Sequence, residues 1–298
     1  MAAMLTFGLI LPNFRDGAGP EGIEAGAEMA ERLGWEAVWT TDHLLVDRGS
    51  AAEYGRIYEA VTTLAWLAGR HPAVRLGTSV IVVPMRNAVV LAKELATLDA
   101  LSGGRLTVGV GVGWSEVEYG NVGAADRFHR RGAALDETIR LWRHLWSGSP
   151  EPFEGRFARF DDFVFGPLPA QGADLPIWVG GRSPAALRRA GTLADGYHST
   201  SLGPGGYAPL VPVIRQAAEA AGRPMPTLSA RVSAHFGPPT RGDRYLLAGD
   251  PPAMLDQVRA FAGLGLEHLA VGFAPRDPAG VVAAVERFDR EIVRALAP

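Results

Sequence analysis

One alternation runs the length of this chain and constrains its fold more than any other feature: eight short apolar runs of strand character, each followed by a longer segment with helical spacing. Leu5 to Leu11 leads to Glu21 to Leu33, where Gly34 marks the stop. Ala37 to Thr40 leads to Ile57 to Ala68, with an apolar stripe at Ile57, Val61, Leu64, Ala65 and Ala68. Val74 to Val83 with Val89 to Leu101 makes the third unit. Arg105 to Val112, with a helix around Leu135, Ile139, Trp142, Leu145 and Trp146, makes the fourth. Pro176 to Val179 with Pro184 to Ala190, Ala194 to Ser199 with Tyr207 to Ala221, Leu228 to Phe236 with Ala253 to Ala262, and His268 to Phe273 with Ala279 to Leu296 supply the rest. Strict alternation of buried strands and helices means a parallel sheet. Eight units favour an α/β fold closed as a (β/α)8 TIM barrel over an open doubly wound sheet.

At 298 residues the chain exceeds the roughly 250 of a typical barrel by enough for short insertions, so residues 1–298 read as one domain. The main insertion, 149–175, is rich in Pro, Gly and Phe and joins a helix to the next strand. It therefore belongs at the N-terminal mouth, away from chemistry. A net charge of −3, with no basic cluster beside aromatic residues, argues against nucleic acid. The lack of cysteine excludes disulfides, thiolate catalysis and sulfur-ligated zinc. No apolar stretch nears the roughly 18 residues that span a bilayer, and no basic region precedes the first apolar run, so the expected location is cytoplasmic.

Active sites of such barrels lie just past the C-terminal ends of the strands. Here that rim holds Asn13, Asp42 and His43, Ser79 and Val80, Gly111 to Trp114, Gly180 to Ser183, His198 to Ser201, His235 and Phe236, and the turn near Pro275. Asp42-His43 is the best candidate for chemistry: a rim histidine moves protons near neutral pH, and the adjacent acid orients it. A histidine that only fixes a loop reads equally well. No His-x-His or His-Glu-x-x-His spacing supports a metal site. Gly180-Gly181-Arg182-Ser183-Pro184 ends a strand in two glycines and starts a helix with Ser183 as cap and Pro184 at its first position; Gly191 marks its end. Such a start suits a phosphate, with Arg182 as an added cation; an ordinary strand-to-helix turn is the alternative. Gly109, Gly111 and Gly113 would leave one strand face bare, either for a flat ligand or to relieve crowding inside the barrel. A Gly-x-Gly-x-x-Gly dinucleotide fingerprint is not matched.

Thr41-Asp42-His43, Leu76 to Val80, Ala92 to Arg105, Gly109 to Trp114 and Ile177 to Gly196 together resemble, in order, the luciferase-like monooxygenase superfamily, most of all its branch using the deazaflavin coenzyme F420. The resemblance implies a flavin-type ring at the C-terminal mouth, backed by a non-proline cis peptide at Ser79-Val80. It also implies coenzyme phosphate at Gly180 to Ser183, and His43 as the group that takes or stabilises a proton. The sequence departs from the sugar-phosphate dehydrogenases of that branch, which carry a glutamate where Trp114 stands and an aromatic residue where Asp47 stands. An apolar wall at Trp114 fits a flat, less charged substrate better.

The long loop 237–250 reads either as a solvated charged loop or as a lid, in which Arg241 and Arg244 meet the acidic coenzyme tail or an anionic substrate. The expected function is hydride transfer between coenzyme F420 and a small organic substrate, with Asn13 and His198 on the substrate side. The alternatives are an FMN-dependent monooxygenase on the same fold and, from another class, a non-catalytic flavin-binding barrel. A homodimer is expected by analogy alone.

Overall fold

The computed structural model describes residues 5–239 and 244–296. Its eight principal strands are β1 (Thr6–Ile10), β2 (Ala37–Thr40), β3 (Arg75–Thr78), β4 (Leu106–Gly111), β5 (Ile177–Gly180), β6 (Gly196–Thr200), β7 (Thr227–Phe236) and β8 (His268–Gly272). All run parallel, each hydrogen-bonded to its neighbours in chain order, and β8 returns to β1 with Thr6 opposite His268, closing the barrel. Around it lie α1 (Pro20–Leu33), α2 (Ala60–Ala68), α3 (Ala88–Ser102), α4 (Arg131–Trp146), α5 (Pro184–Leu193), α6 (Leu210–Ala220), α7 (Pro251–Gly263) and α8 (Pro278–Phe288). The expected (β/α)8 architecture is the observed one.

Local chemistry sets the helix ends. Asn87 caps α3 by accepting from the Val89 and Val90 amides, and Asp250 and Asp277 cap α7 and α8 ahead of a proline. Two indoles fill the barrel interior. Trp39 lies against Trp178, stacks on His198 with centroids 4.9 Å apart and donates to His268 Nε2 at 3.0 Å. Gly77 makes room for it: a Cβ there would lie 2.3 Å from the Trp39 ring.

Several boundaries differ from the sequence reading, each for a physical reason. The third strand breaks at a cis peptide between Ser79 and Val80 and resumes as Ile81–Val82, which pairs with β4. Ile57 precedes α2, whose cap is Glu59, and bridges Phe14. Gly191 lies inside α5, where its missing side chain lets α6 approach; a Cβ would meet the Ile214 carbonyl at 2.6 Å. Within the supposed lid, Leu246–Gly249 is a strand paired with β7. The 149–175 segment holds a small hairpin, Phe153–Glu154 with Arg159–Phe160, and Gln171 ties it to the Leu106 carbonyl where β4 begins. Among the described residues no helix is long and apolar enough to cross a membrane, and no group of three acidic or histidine side chains is placed to hold a metal.

Candidate active site

The site is built upward from the break in the third strand. The Ser79 amide donates to the Thr40 carbonyl at 2.7 Å. Its hydroxyl hydrogen-bonds His198 Nε2 at 2.8 Å, while His198 Nδ1 meets the Ser229 hydroxyl at 2.8 Å. Its carbonyl accepts from Arg231, whose other terminal nitrogen donates to the Thr41 hydroxyl at 2.8 Å. Beyond the break, the Val82 amide donates to Asp42 Oδ2 at 2.9 Å. Strand β2 with the segment after it, β6 and β7 thus converge on one short bulge.

This geometry revises three expectations. Asp42 does not orient His43: it is buried, holds Val82 and pairs with Arg86 Nη2 at 2.6 Å. Burial pushes its carboxyl up, and Arg86 with the Val82 amide offsets that in part. His198 is not on the substrate side; it lies fully buried beneath the bulge, and burial, then the nearby His268 and Arg231, push its pKa well down, so it serves as a neutral hydrogen-bonding post. Asn13 is also fully buried, donating to the Thr41 and Tyr58 carbonyls and accepting from the Thr41 amide, so it braces the segment leading to His43.

The glycine face of β4 is filled by the protein itself. A Cβ at Gly109 would meet the Thr78 carbonyl at 1.9 Å, one at Gly111 would meet Val80 at 2.6 Å, and one at Gly113 would meet Val82 at 2.6 Å. Gly111 and Gly113 therefore seat the bulge, and the bulge rather than bare backbone forms the wall. Crowding relief, the alternative left open by the sequence, is the role the geometry gives them.

The acid partner of His43 is Glu118, whose Oε2 lies 2.8 Å from His43 Nδ1. Glu118 Oε1 also accepts from the amides of Leu44 at 2.6 Å and Leu45 at 3.3 Å. Burial would raise this carboxyl, but the bonds from His43, Leu44 and Leu45 outweigh it and hold the pKa below its usual range. An ionised carboxylate cannot donate, so Nδ1 carries a proton, and in the neutral imidazole the lone pair is then on Nε2. Tyr54 packs on the imidazole with centroids 4.1 Å apart, and Trp114, half exposed, meets it edge-on at 5.7 Å.

Sequence reasoning missed Glu118 because it sits on an unforeseen short helix, Glu116–Asn121. The signal was present in Ser115-x-x-Glu118, the pattern of a capping box. Ser115 caps as that pattern requires, accepting from the Glu118 amide at 3.2 Å, while the glutamate side chain is diverted to His43.

A cavity of about 1030 Å3 opens at the C-terminal mouth, lined by Trp114, Tyr54, Arg231, Gly181 and Arg182 among others. At its β5 side, Gly181 adopts φ 109°, Ser183 accepts from the Ala186 amide and Pro184 opens α5. This turn is that of a helix start with little side-chain cover. Arg244 reaches the rim and pairs with Glu53; Arg241 lies outside the described residues.

The luciferase-like monooxygenase family model matches residues 5–238. The chain belongs to this family. Among the relatives of this luciferase-like chain, a protein of Nakamurella multipartita named F420-dependent glucose-6-phosphate dehydrogenase is 36% identical over 217 residues, 69% of this chain and 60% of that protein. The chain thus matches about 60% of that curated relative's length. The structure of an F420-dependent secondary alcohol dehydrogenase in complex with an F420-acetone adduct aligns over 100% of both chains with TM-score 0.83 and 19% identity. That of an F420-dependent tetrahydromethanopterin reductase from Methanopyrus kandleri covers 99% of this chain and 100% of the other, with TM-score 0.80 and 19% identity. At those identities the structural likeness establishes the shared barrel.

Proposed function

We propose that the protein is an oxidoreductase that moves a hydride between coenzyme F420 and a small organic substrate. The observation that carries this reading is the pairing of a bulge held by the cavity-lining Arg231 with a His43–Glu118 dyad packed against Tyr54 and Trp114, which line the same cavity. The Nakamurella multipartita relative and the two structures described above are F420-dependent, which points to the same coenzyme. The residues present fit a flat ring carrying a phosphate: Ser79 and Val80 would back the ring, Gly180 to Ser183 with Arg182 would hold the phosphate, and Trp114 would flank the open side. Once bound, the coenzyme supplies the carbon that accepts or gives the hydride.

The protein's own part is acid–base and positional. For oxidation of an alcohol, His43 Nε2 takes the hydroxyl proton as the C–H hydrogen leaves with its electron pair, and the product is a carbonyl compound. Glu118 stabilises the imidazolium so formed and holds the ring in place. Reduction runs the same transfers backwards. A cytoplasmic location, which the lack of cysteine allows, and a homodimer complete the reading.

The test is anaerobic incubation of oxidised or reduced coenzyme with a panel of alcohols and carbonyl compounds, followed by the coenzyme's absorbance. Turnover in the wild type and its loss in His43→Ala, with coenzyme affinity retained, is the expected outcome. Retained affinity with no absorbance change for any compound would favour a non-catalytic flavin-binding barrel, and oxygen-dependent turnover with FMN would favour a monooxygenase.

A further inference from the structure

Among the described residues, the cavity carries five arginines, Arg15, Arg182, Arg231, Arg244 and Arg276, against a single carboxylate, Glu53. Glu53 is already shared, bonding Arg15 Nη2 at 2.9 Å and Arg244. Arg231 and Arg276 are left with neutral acceptors. Arg231 bonds the Ser79 carbonyl and the Thr41 hydroxyl; Arg276 bonds the Phe14, Phe273 and Pro275 carbonyls through Nε and Nη1, and its Nη2 meets no acceptor among the described residues. Three of these guanidinium groups surround one aromatic ring: Arg15, Arg231 and Arg276 lie 5.2, 5.5 and 5.3 Å from the Phe14 centroid. Like charges gathered in a partly buried space repel one another unless an anion joins them.

We propose that Arg15, Arg231 and Arg276 form a receptor for the anionic group, carboxylate or phosphate, of a flat organic substrate, distinct from the turn that would hold the coenzyme phosphate. This inference rests on the oxidoreductase reading and adds a substrate class to it. Topology separates the two anion sites. In the circle of eight strands β1, which leads into Phe14 and Arg15, stands opposite β5, which leads into Gly180 to Ser183, and Arg276 follows β8 next to β1. An aromatic wall joins the receptor to the dyad: Phe14 stacks on Tyr54 with centroids 6.0 Å apart, and Tyr54 packs on His43 at 4.1 Å. The substrate is therefore an acid whose reacting carbon lies near His43 and whose anion lies beyond the Tyr54 and Phe14 rings. Charge behaviour agrees. Burial, with Arg15 nearby, pulls both Arg231 and Arg276 down to about 10, the opposite of what a resident carboxylate does.

The experiment is calorimetric titration of F420-saturated protein with benzoate and, separately, with inorganic phosphate. Saturable binding is expected, weakened at least tenfold in Arg276→Gln and restored in Arg276→Lys, with F420 affinity within twofold of wild type. Tighter benzoate assigns the receptor to a carboxylate and tighter phosphate to a phosphate ester. Arg15→Gln provides the same test should Arg276→Gln fold poorly. The proposal is overturned if neither anion binds the wild type, if the anion displaces F420, or if the variants weaken F420 as much as the anion. Should F420 fail to bind while benzoate binds in an Arg276-dependent way, the receptor stands and the coenzyme reading falls.

Discussion

The bulge after β3, the floor on which the cavity-lining Arg231 rests, and the β1–β8 rim of the cavity treat charge in different ways. On the floor, the Ser79 amide, carbonyl and hydroxyl and the Val82 amide each have a partner, and the charged group Asp42 is matched by Arg86. At the rim, Arg276 and Arg15 crowd around Phe14 with, among the described residues, only the shared Glu53 to balance them. Arg231 belongs to both, fastening the bulge while facing the cavity. A fully satisfied network fixes geometry, whereas unbalanced charge stores affinity for a ligand. The contrast assigns shape to the floor and choice of substrate to the rim.

Three substitutions would break or sharpen that contrast. His43→Ala removes a proton-transfer group from the wall and should cut turnover about 10³-fold, roughly 4 kcal/mol in barrier, while thermal unfolding stays near wild type. A comparable loss of stability would instead make His43 a structural residue. Arg231→Met should do the reverse, leaving the Ser79 carbonyl and Thr41 hydroxyl without their donor. A loss of about 3 kcal/mol in urea unfolding and failure to bind F420 are expected. An unchanged urea midpoint would show that the floor does not depend on it. Gly111→Ala drives a methyl group into Val80 and should cost about 2 kcal/mol and weaken F420, though it touches no charged group. Full F420 affinity in a folded Gly111→Ala protein would separate the bulge from coenzyme binding.

The smallest effect lies outside both regions. Hydrogen bonding from His268, against the opposing effect of burial, holds Glu36 at about 2 rather than its ordinary 4.5. A depressed carboxylate stabilises the fold above its ordinary pKa, and that contribution is lost as pH falls from about 4.5 towards 2. Because the Glu36 side chain is 42% exposed, solvent screening limits the effect to about 1 kcal/mol. Glu36→Gln should flatten that acid limb of a stability-against-pH curve, and an unaltered limb would remove Glu36 from the account.

The barrel was legible because strand and helix periodicities survive in every unit, and the rim rule put forward His43, Ser79, Val80 and the Gly180 to Ser183 turn as candidates. What stayed hidden has two physical origins. Partners chosen across the barrel leave no local trace: the acid next to His43 in sequence points to Val82, while the acid that serves it comes 75 residues later. Arg231 escaped because it sits in the middle of a long strand, not past its end, although an arginine within the apolar run Leu228 to Phe236 was a visible oddity. The alternating glycines misled in an instructive way. Missing side chains announced a close approach, and what approaches is the chain's own bulge.

The central claim is that this floor is shaped for a deazaflavin. Titration of purified, coenzyme-free protein with F420 and with FMN, followed through tryptophan fluorescence, tests it most directly. The account predicts saturable one-to-one binding of F420, with FMN bound far more weakly, and loss of the F420 signal in Arg231→Met. Tight FMN binding with none for F420 would contradict it.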